Sequence, residues 1–119
     1  NILTGRAEEL AHREAHREQF DVVTARAVAA LPVLIELALP FVRPDGYFIA
    51  MKTPQALEAE CSGLKQAGLA LGGEIESEIK DVSIPEYLPA RNLLIVKKLH
   101  ETPSLYPRKM AQIKKAPIY

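Results

Sequence analysis

The run Tyr47-Phe48-Ile49-Ala50-Met51-Lys52 constrains this chain more than any other feature. It is almost continuously apolar, and Arg43-Pro44-Asp45-Gly46 introduces it. That tetrapeptide has turn chemistry: proline presets φ early in the turn, and glycine late in it takes conformations that other residues avoid. A strand with one wet face alternates apolar and polar residues. One that does not alternate needs cover on both faces, as in a parallel sheet layered between helices.

The flanking segments agree with a layered α/β fold. Phe20-Asp21-Val22-Val23-Thr24 is a short β-branched run and reads as a strand. Val28 to Val42 predicts a strongly apolar helix, with Pro32 in its first turn and Pro40 near its end. Pro54 opens a further helix over 55–71, with Leu57, Cys61, Leu64 and Leu71 inward and Gly72-Gly73 as its stop. Residues 74–84 alternate, with Ile75, Ile79 and Val82 set against Glu74, Glu76, Glu78 and Lys80, which predicts a half-exposed strand. A loop over 85–90 leads to a last strand, 91–99. The opening stretch 6–18 has helix propensity but only Leu10 as a strong apolar anchor, so it predicts a solvated helix capped by Thr4 or Gly5. The order helix, strand, helix, strand, helix, strand, strand predicts an α/β fold with a mostly parallel sheet. The last two strands, with no helix between them, form an antiparallel pair at its edge.

Length and composition set the outer bounds. A chain of 119 residues, 48% hydrophobic and 25% charged, is one globular domain's worth of protein and excludes disorder. The longest apolar stretch, 27–42, is interrupted by Pro32, Glu36 and Pro40, so nothing in it spans a membrane. One cysteine, Cys61, gives neither a disulfide framework nor a thiolate zinc site, and fits a reducing, cytoplasmic setting. At its expected place on the inward side of a helix, Cys61 reads as a small buried hydrophobe. The chain opens Asn1-Ile2-Leu3-Thr4-Gly5, without Met and on what reads as the end of a strand, which leads us to expect a piece of a longer protein.

The zero net charge hides an asymmetry. Residues 1–90 carry 8 Lys+Arg against 14 Asp+Glu, whereas residues 91–119 carry 7 Lys+Arg against Glu101 alone. An acidic body with a basic end points to a polyanion at the C-terminus, with a merely solvated tail as the alternative. We accordingly divide the chain into a body, 1–100, and a basic tail, 101–119. Pro103, Pro107 and Pro117 make that tail too proline-rich for a packed element. Tyr106 among Arg108, Lys109, Lys114 and Lys115 suits RNA, since cations meet phosphates and an aromatic ring stacks on a base.

In open α/β sheets ligands bind beyond the carboxyl ends of strands. Arg26 stands at such an end, as do Gly5-Arg6-Ala7-Glu8 and Lys52-Thr53. Together they could frame a small-molecule site, or Arg26 could simply cap the sheet or pair with a glutamate. His12 and His16 lie four apart, but Arg13 stands where a metalloprotease pattern needs glutamate and no third ligand is evident. They read as part of a solvated helix, with no metal.

Taken in order, these segments resemble one family, the glucose-inhibited division protein B group of 16S ribosomal RNA guanine-N7 methyltransferases. The resemblance rests on Gly5-Arg6-Ala7-Glu8-Glu9, on Phe20 through Val28, on Leu39-Pro40 with Gly46, and on Lys52. It continues through Arg91-Asn92-Leu93 and Tyr106-Pro107-Arg108-Lys109 with Lys114-Lys115. Thr53 departs from the family's usual glycine, and Ala111-Gln112-Ile113 from its Gly-Thr-Pro-like turn.

The resemblance implies the C-terminal part of a Rossmann-like methyltransferase sheet that uses S-adenosylmethionine. It covers neither the family's glycine-rich loop nor the acidic residue after its second strand. It implies Ala7, Glu8 and Arg26 as cofactor contacts, with Arg26 also catalytic. Arg91, Tyr106, Arg108, Lys109, Lys114 and Lys115 become RNA contacts, and the partner is 16S ribosomal RNA or the small ribosomal subunit. The alternative is a non-catalytic RNA- or ribosome-binding α/β module. With the family's first strand absent, the strand 20–24 becomes an open sheet edge with exposed apolar side chains. We expect the 119-residue chain by itself to bind cofactor poorly and to be inactive.

Overall fold

The computed structural model describes residues 1–26, 28–80, 82 and 90–119. Its elements are α1 (Ala7–Leu10), β1 (Phe20–Arg26), α2 (Leu31–Ala38), a 3-10 turn (Leu39–Phe41), β2 (Val42–Lys52), α3 (Pro54–Glu60), α4 (Leu64–Leu71), β3 (Gly73–Ile79), β4 (Asn92–Lys98) and α5 (Met110–Lys115). The far end of the strand expected over 74–84 and most of the loop over 85–90 lie outside the described residues.

The four strands form one sheet in the order β1-β2-β4-β3. β1 and β2 are parallel, while β4 is antiparallel to both β2 and β3. Three of the four strands therefore run the same way, and the reversed strand lies one in from the edge. This is the mostly parallel sheet with an antiparallel pair that the order of elements predicts.

Side-chain alternation gives the sheet two unlike faces. Phe48 and Ala50 of β2 and Leu94 and Val96 of β4 are buried against Leu31, Leu34, Ile35, Leu57, Leu64 and Leu71 of the helices. Each of the larger side chains contributes roughly 1.5–3 kcal/mol by leaving water. The opposite face is not covered as the unbroken apolar run 47–52 predicts: Tyr47 and Ile49 are half-buried there, and Val22, Met51 and Ile79 are 51%, 36% and 45% exposed. β1 forms one margin of the sheet, with Phe20 at 42% exposure, as expected for an open edge.

Four further departures from the sequence reading follow. The segment Arg43–Gly46 is not a turn between elements but a bulge inside β2. Phe20 pairs with Val42 and Val22 with Tyr47, so Asp21 alone faces the four bulged residues. Asp45 takes a left-handed φ of 70°, and a Cβ on Gly46 would come within 2.6 Å of the Asp21 carbonyl.

The helix expected over 55–71 is two. Gly63 at φ 82° separates α3 from α4, so Cys61 is exposed rather than buried. A Cβ at Gly63 would meet Tyr119 at 2.5 Å, so the break is also where the end of the chain docks.

The helix expected over 6–18 ends at Leu10, its N-cap is Arg6 rather than Thr4 or Gly5, and no side chain caps it. Residues 12–18 are turns.

The tail, finally, is packed. Thr102 is buried with its hydroxyl donating to the Leu71 carbonyl at 2.6 Å, Ile113 of α5 is fully buried, and the Tyr119 hydroxyl donates to the Glu60 carbonyl at 2.7 Å. Three prolines do not prevent packing when the segment needs few backbone hydrogen bonds of its own and borrows partners from the body.

Candidate functional site

Two buried ions organise the region where body and tail meet. Glu36 interrupts the apolar run of α2 and has no solvent exposure. A carboxylate there requires a partner. Arg108 supplies one twice over. Its backbone N–H donates to Glu36 Oε2 at 2.8 Å, and its guanidinium grips both oxygens, with the closest contact, Nη2 to Oε1, at 2.8 Å. The hydrogen bonds to Glu36 raise the Arg108 pKa. The same Nη2 donates to the Ala116 carbonyl at 2.9 Å, and the guanidinium carbon sits 6.0 Å from the Tyr106 ring centroid. Arg108, expected on RNA, is thus turned inward.

The second ion is Lys98, at the end of β4 and also without exposure. Its ammonium donates to the carbonyls of Leu39 and Val42, both at 2.9 Å, and pairs with Glu18 at 3.2 Å. Burial lowers its pKa, and Glu18 acts in the opposite sense. Glu18 adopts φ 53°, and its neighbour Arg17 donates to the tail carbonyls of Thr102, Pro103 and Tyr106 at 2.8–3.1 Å. His12 adds a contact of the same kind, Nε2 to the Pro107 carbonyl at 2.6 Å. The histidine expected on a solvated helix face is a fastener for the tail.

These ties place the start of α5 beside α1. Between them lies a concavity of about 630 Å³ lined by Glu8, Glu9 and His12 on one side and Pro107, Lys109 and Met110 on the other, with Arg6 at its rim. Glu8 is 7% exposed and its carboxylate is 3.5 Å from the Arg6 guanidinium. Ala7 is half-buried on the same short helix.

The geometry therefore brings together Glu8 and Lys109, which sequence reasoning assigned to different ligands. Arg26 is not among that lining. It is exposed at the carboxyl end of β1, in register with Met51, and among the described residues its side chain forms no hydrogen bond or ion pair. Lys114 and Lys115 are exposed in the last turn of α5, where cations suit the negative end of a helix. Tyr106 is half-buried, and Arg91 is half-buried with its guanidinium on the Ala90 carbonyl.

The strand end at Lys52-Thr53 is structural. Lys52 donates to the Ala29 carbonyl at 2.5 Å and pairs with Glu60 at 3.1 Å, while Glu60 also accepts from the Leu31 N–H at the start of α2. Thr53 caps α3, its hydroxyl accepting from the Ala56 N–H at 3.1 Å. Among the described residues no group of three or more His, Cys, Asp or Glu could hold a metal ion, and no helix is long and apolar enough to cross a membrane. Sequence reasoning passed over Glu36 and Lys98. The signal for Glu36 was present, a single charge inside an apolar helix, whereas Lys98 sat unmarked in a basic stretch.

Comparison with known proteins places this arrangement. A family model described as GidB, rRNA small subunit methyltransferase G, matches residues 1–87. Proteins named ribosomal RNA small subunit methyltransferase G are similar over nearly the whole chain. The one from Alkaliphilus metalliredigens is 44% identical over 118 residues, which is 99% of this chain and 48% of that protein. The one from Clostridium tetani is 47% identical over 116 residues, 98% of this chain and 48% of that protein. The Deinococcus deserti protein is 43% identical over 117 residues, 98% of this chain and 47% of its own length. The chain thus spans about half the length of the curated relatives it matches, and the packed tail, beyond residue 87, lies within those matches. Its sequence and its α/β sheet agree: the chain belongs to the GidB family, rRNA small subunit methyltransferase G.

Proposed function

We propose that this chain serves in the transfer of a methyl group from S-adenosylmethionine to N7 of a guanine in 16S ribosomal RNA, in the cytoplasm. The observation that carries the reading is the identity of 43–47% across body and tail alike to proteins named for methylating small-subunit ribosomal RNA.

The residues present fit one side of such a donor. Glu8 is a largely buried acceptor on the wall of a concavity, suited to an amino donor on an adenine ring, and the Ala7 backbone lies beside it. When bound, the donor supplies an electrophilic sulfonium methyl. Guanine N7 has an in-plane lone pair and no proton, so this chain need not provide a general base. Its task is orientation and electrostatics. Ala7 and Glu8 hold the adenine. Arg26, its side chain exposed and free of internal partners among the described residues, orients the cofactor's charged end or the incoming base. Lys109, Lys114 and Lys115 meet phosphates, with Arg91 and Tyr106 beside the RNA path. Arg108 serves by holding the tail in place.

The test is methyl transfer from labelled S-adenosylmethionine to undermethylated 16S ribosomal RNA by the protein at its full length. Label at guanine N7 is the expected result. RNA binding with no transfer would favour a non-catalytic ribosome-binding module.

A further inference from the structure

We infer that Glu36 is a positioning residue for RNA: it sets Lys109 in the lining of the concavity that Glu8 also lines and so fixes one phosphate contact of the substrate. The inference rests on the reading of Lys109 as a phosphate contact and goes beyond it by naming what holds that lysine in place.

Lys109 is exposed and immediately follows Arg108, whose backbone N–H and guanidinium both end on Glu36. On the other side, the Pro107 carbonyl is held by His12 and the Tyr106 carbonyl by Arg17. The backbone entering Lys109 is thus fixed at consecutive residues. After it, Ile113 is fully buried and the Ile113 N–H donates to the Lys109 carbonyl at 3.0 Å. A lysine on a free tail would have to be ordered when RNA binds, at a cost in conformational entropy. Here that ordering is already made by a carboxylate with no solvent exposure.

Glu36 is also built for geometry rather than charge alone. Its two oxygens accept in a fork from Arg108, an arrangement that fixes direction as well as distance. A glutamine of the same size keeps one acceptor but turns an N–H₂ group towards the guanidinium, which loosens the fork without emptying the site.

The experiment is a double-mutant cycle of Glu36→Gln and Lys109→Ala in the full-length protein. Binding to an unmodified 16S ribosomal RNA transcript is measured across salt concentration, with a thermal melt as companion. Lys109→Ala should lower the log–log salt slope by about one unit, the signature of one lost phosphate contact. Glu36→Gln should lower it by a similar amount and add nothing in the Lys109→Ala background. A wild-type slope in Glu36→Gln, or losses that add in the double variant, would overturn the inference. If Glu36→Gln does not fold, Arg108→Lys is read in the same way, since it keeps the charge and loses the fork. A wild-type slope in Lys109→Ala would instead overturn the assignment of Lys109 to phosphate, and the role of Glu36 with it.

Discussion

Lys98 and Glu18 meet 3.2 Å apart beneath the 3-10 turn that ends α2, the lysine from the last rung of β4 and the glutamate from the left-handed residue before β1. Glu18→Gln leaves a buried ammonium with two carbonyls and without its ion-pair partner. Urea unfolding should show a loss of about 3 kcal/mol, the low end for a broken buried pair. A loss below about 0.5 kcal/mol, the range of ordinary surface changes, would mean that the carbonyls of Leu39 and Val42 suffice.

Arg108→Ala strands Glu36. We expect a destabilisation of about 3–5 kcal/mol by denaturant titration, as for other buried pairs that lose one member. Protease sensitivity of residues 102–119 should rise in parallel, because Arg108 also holds the Ala116 carbonyl.

The β1 margin of the sheet presents unpaired backbone with Phe20 and Val22 exposed. In the 119-residue chain, Val22→Lys should suppress self-association seen by sedimentation, since a charge on an open edge opposes strand pairing. An unchanged distribution of species would place the contact elsewhere.

The Tyr119 hydroxyl donates to the Glu60 carbonyl, and burial raises its pKa above the ordinary value of 10.0. The unfolded chain therefore releases this proton at lower pH than the folded one, so stability falls as pH rises above 10. Lys98, with its pKa lowered by burial, contributes in the opposite direction, so the informative comparison is with Tyr119→Phe at each pH. That variant should be less stable than the wild type at pH 8 and lose less stability between pH 10 and 11. Parallel pH profiles would count against a buried, protonated Tyr119.

Arg26→Ala in the full-length protein should lower turnover by about 10²-fold or more, as loss of an electrostatic contact to reacting groups does. Its melting temperature should not change, because among the described residues the Arg26 side chain makes no internal bond. Wild-type turnover would remove Arg26 from the site.

The parts of the fold legible in the sequence are those governed by short-range pattern. Phe48, Ala50, Leu94 and Val96 sit in the apolar runs that the sequence marks as strands, and Gly72 ends a helix at φ 89° as a C-terminal glycine should. What was not legible depends on partners far away in the chain. The tail packs because Arg108 finds a carboxylate 72 residues earlier, and Arg17 finds carbonyls 85–89 residues later. Neither partner is visible in local composition, which showed only prolines and lysines. The first helix fails for a related reason: residues 12–18 form turns instead of a continued helix and offer His12, Arg17 and Glu18 to the tail and to Lys98. At the candidate site, the strand-end argument named Glu8 but could not see that Lys109 would line the same concavity, and Arg26, which it also named, lies outside that lining.

The inward course of residues 102–119 changes what a shortened protein can reveal. Cutting the chain before Tyr106 would empty the seat of Ile113, expose the Glu36 carboxylate and free the Glu60 carbonyl from its hydroxyl partner. Any fall in nucleic-acid affinity would then report the collapse of a wall as readily as the loss of a grip. Single charge removals at Lys114 and Lys115, which are exposed and outside the lining of the concavity, are the cleaner probe of contact with phosphate.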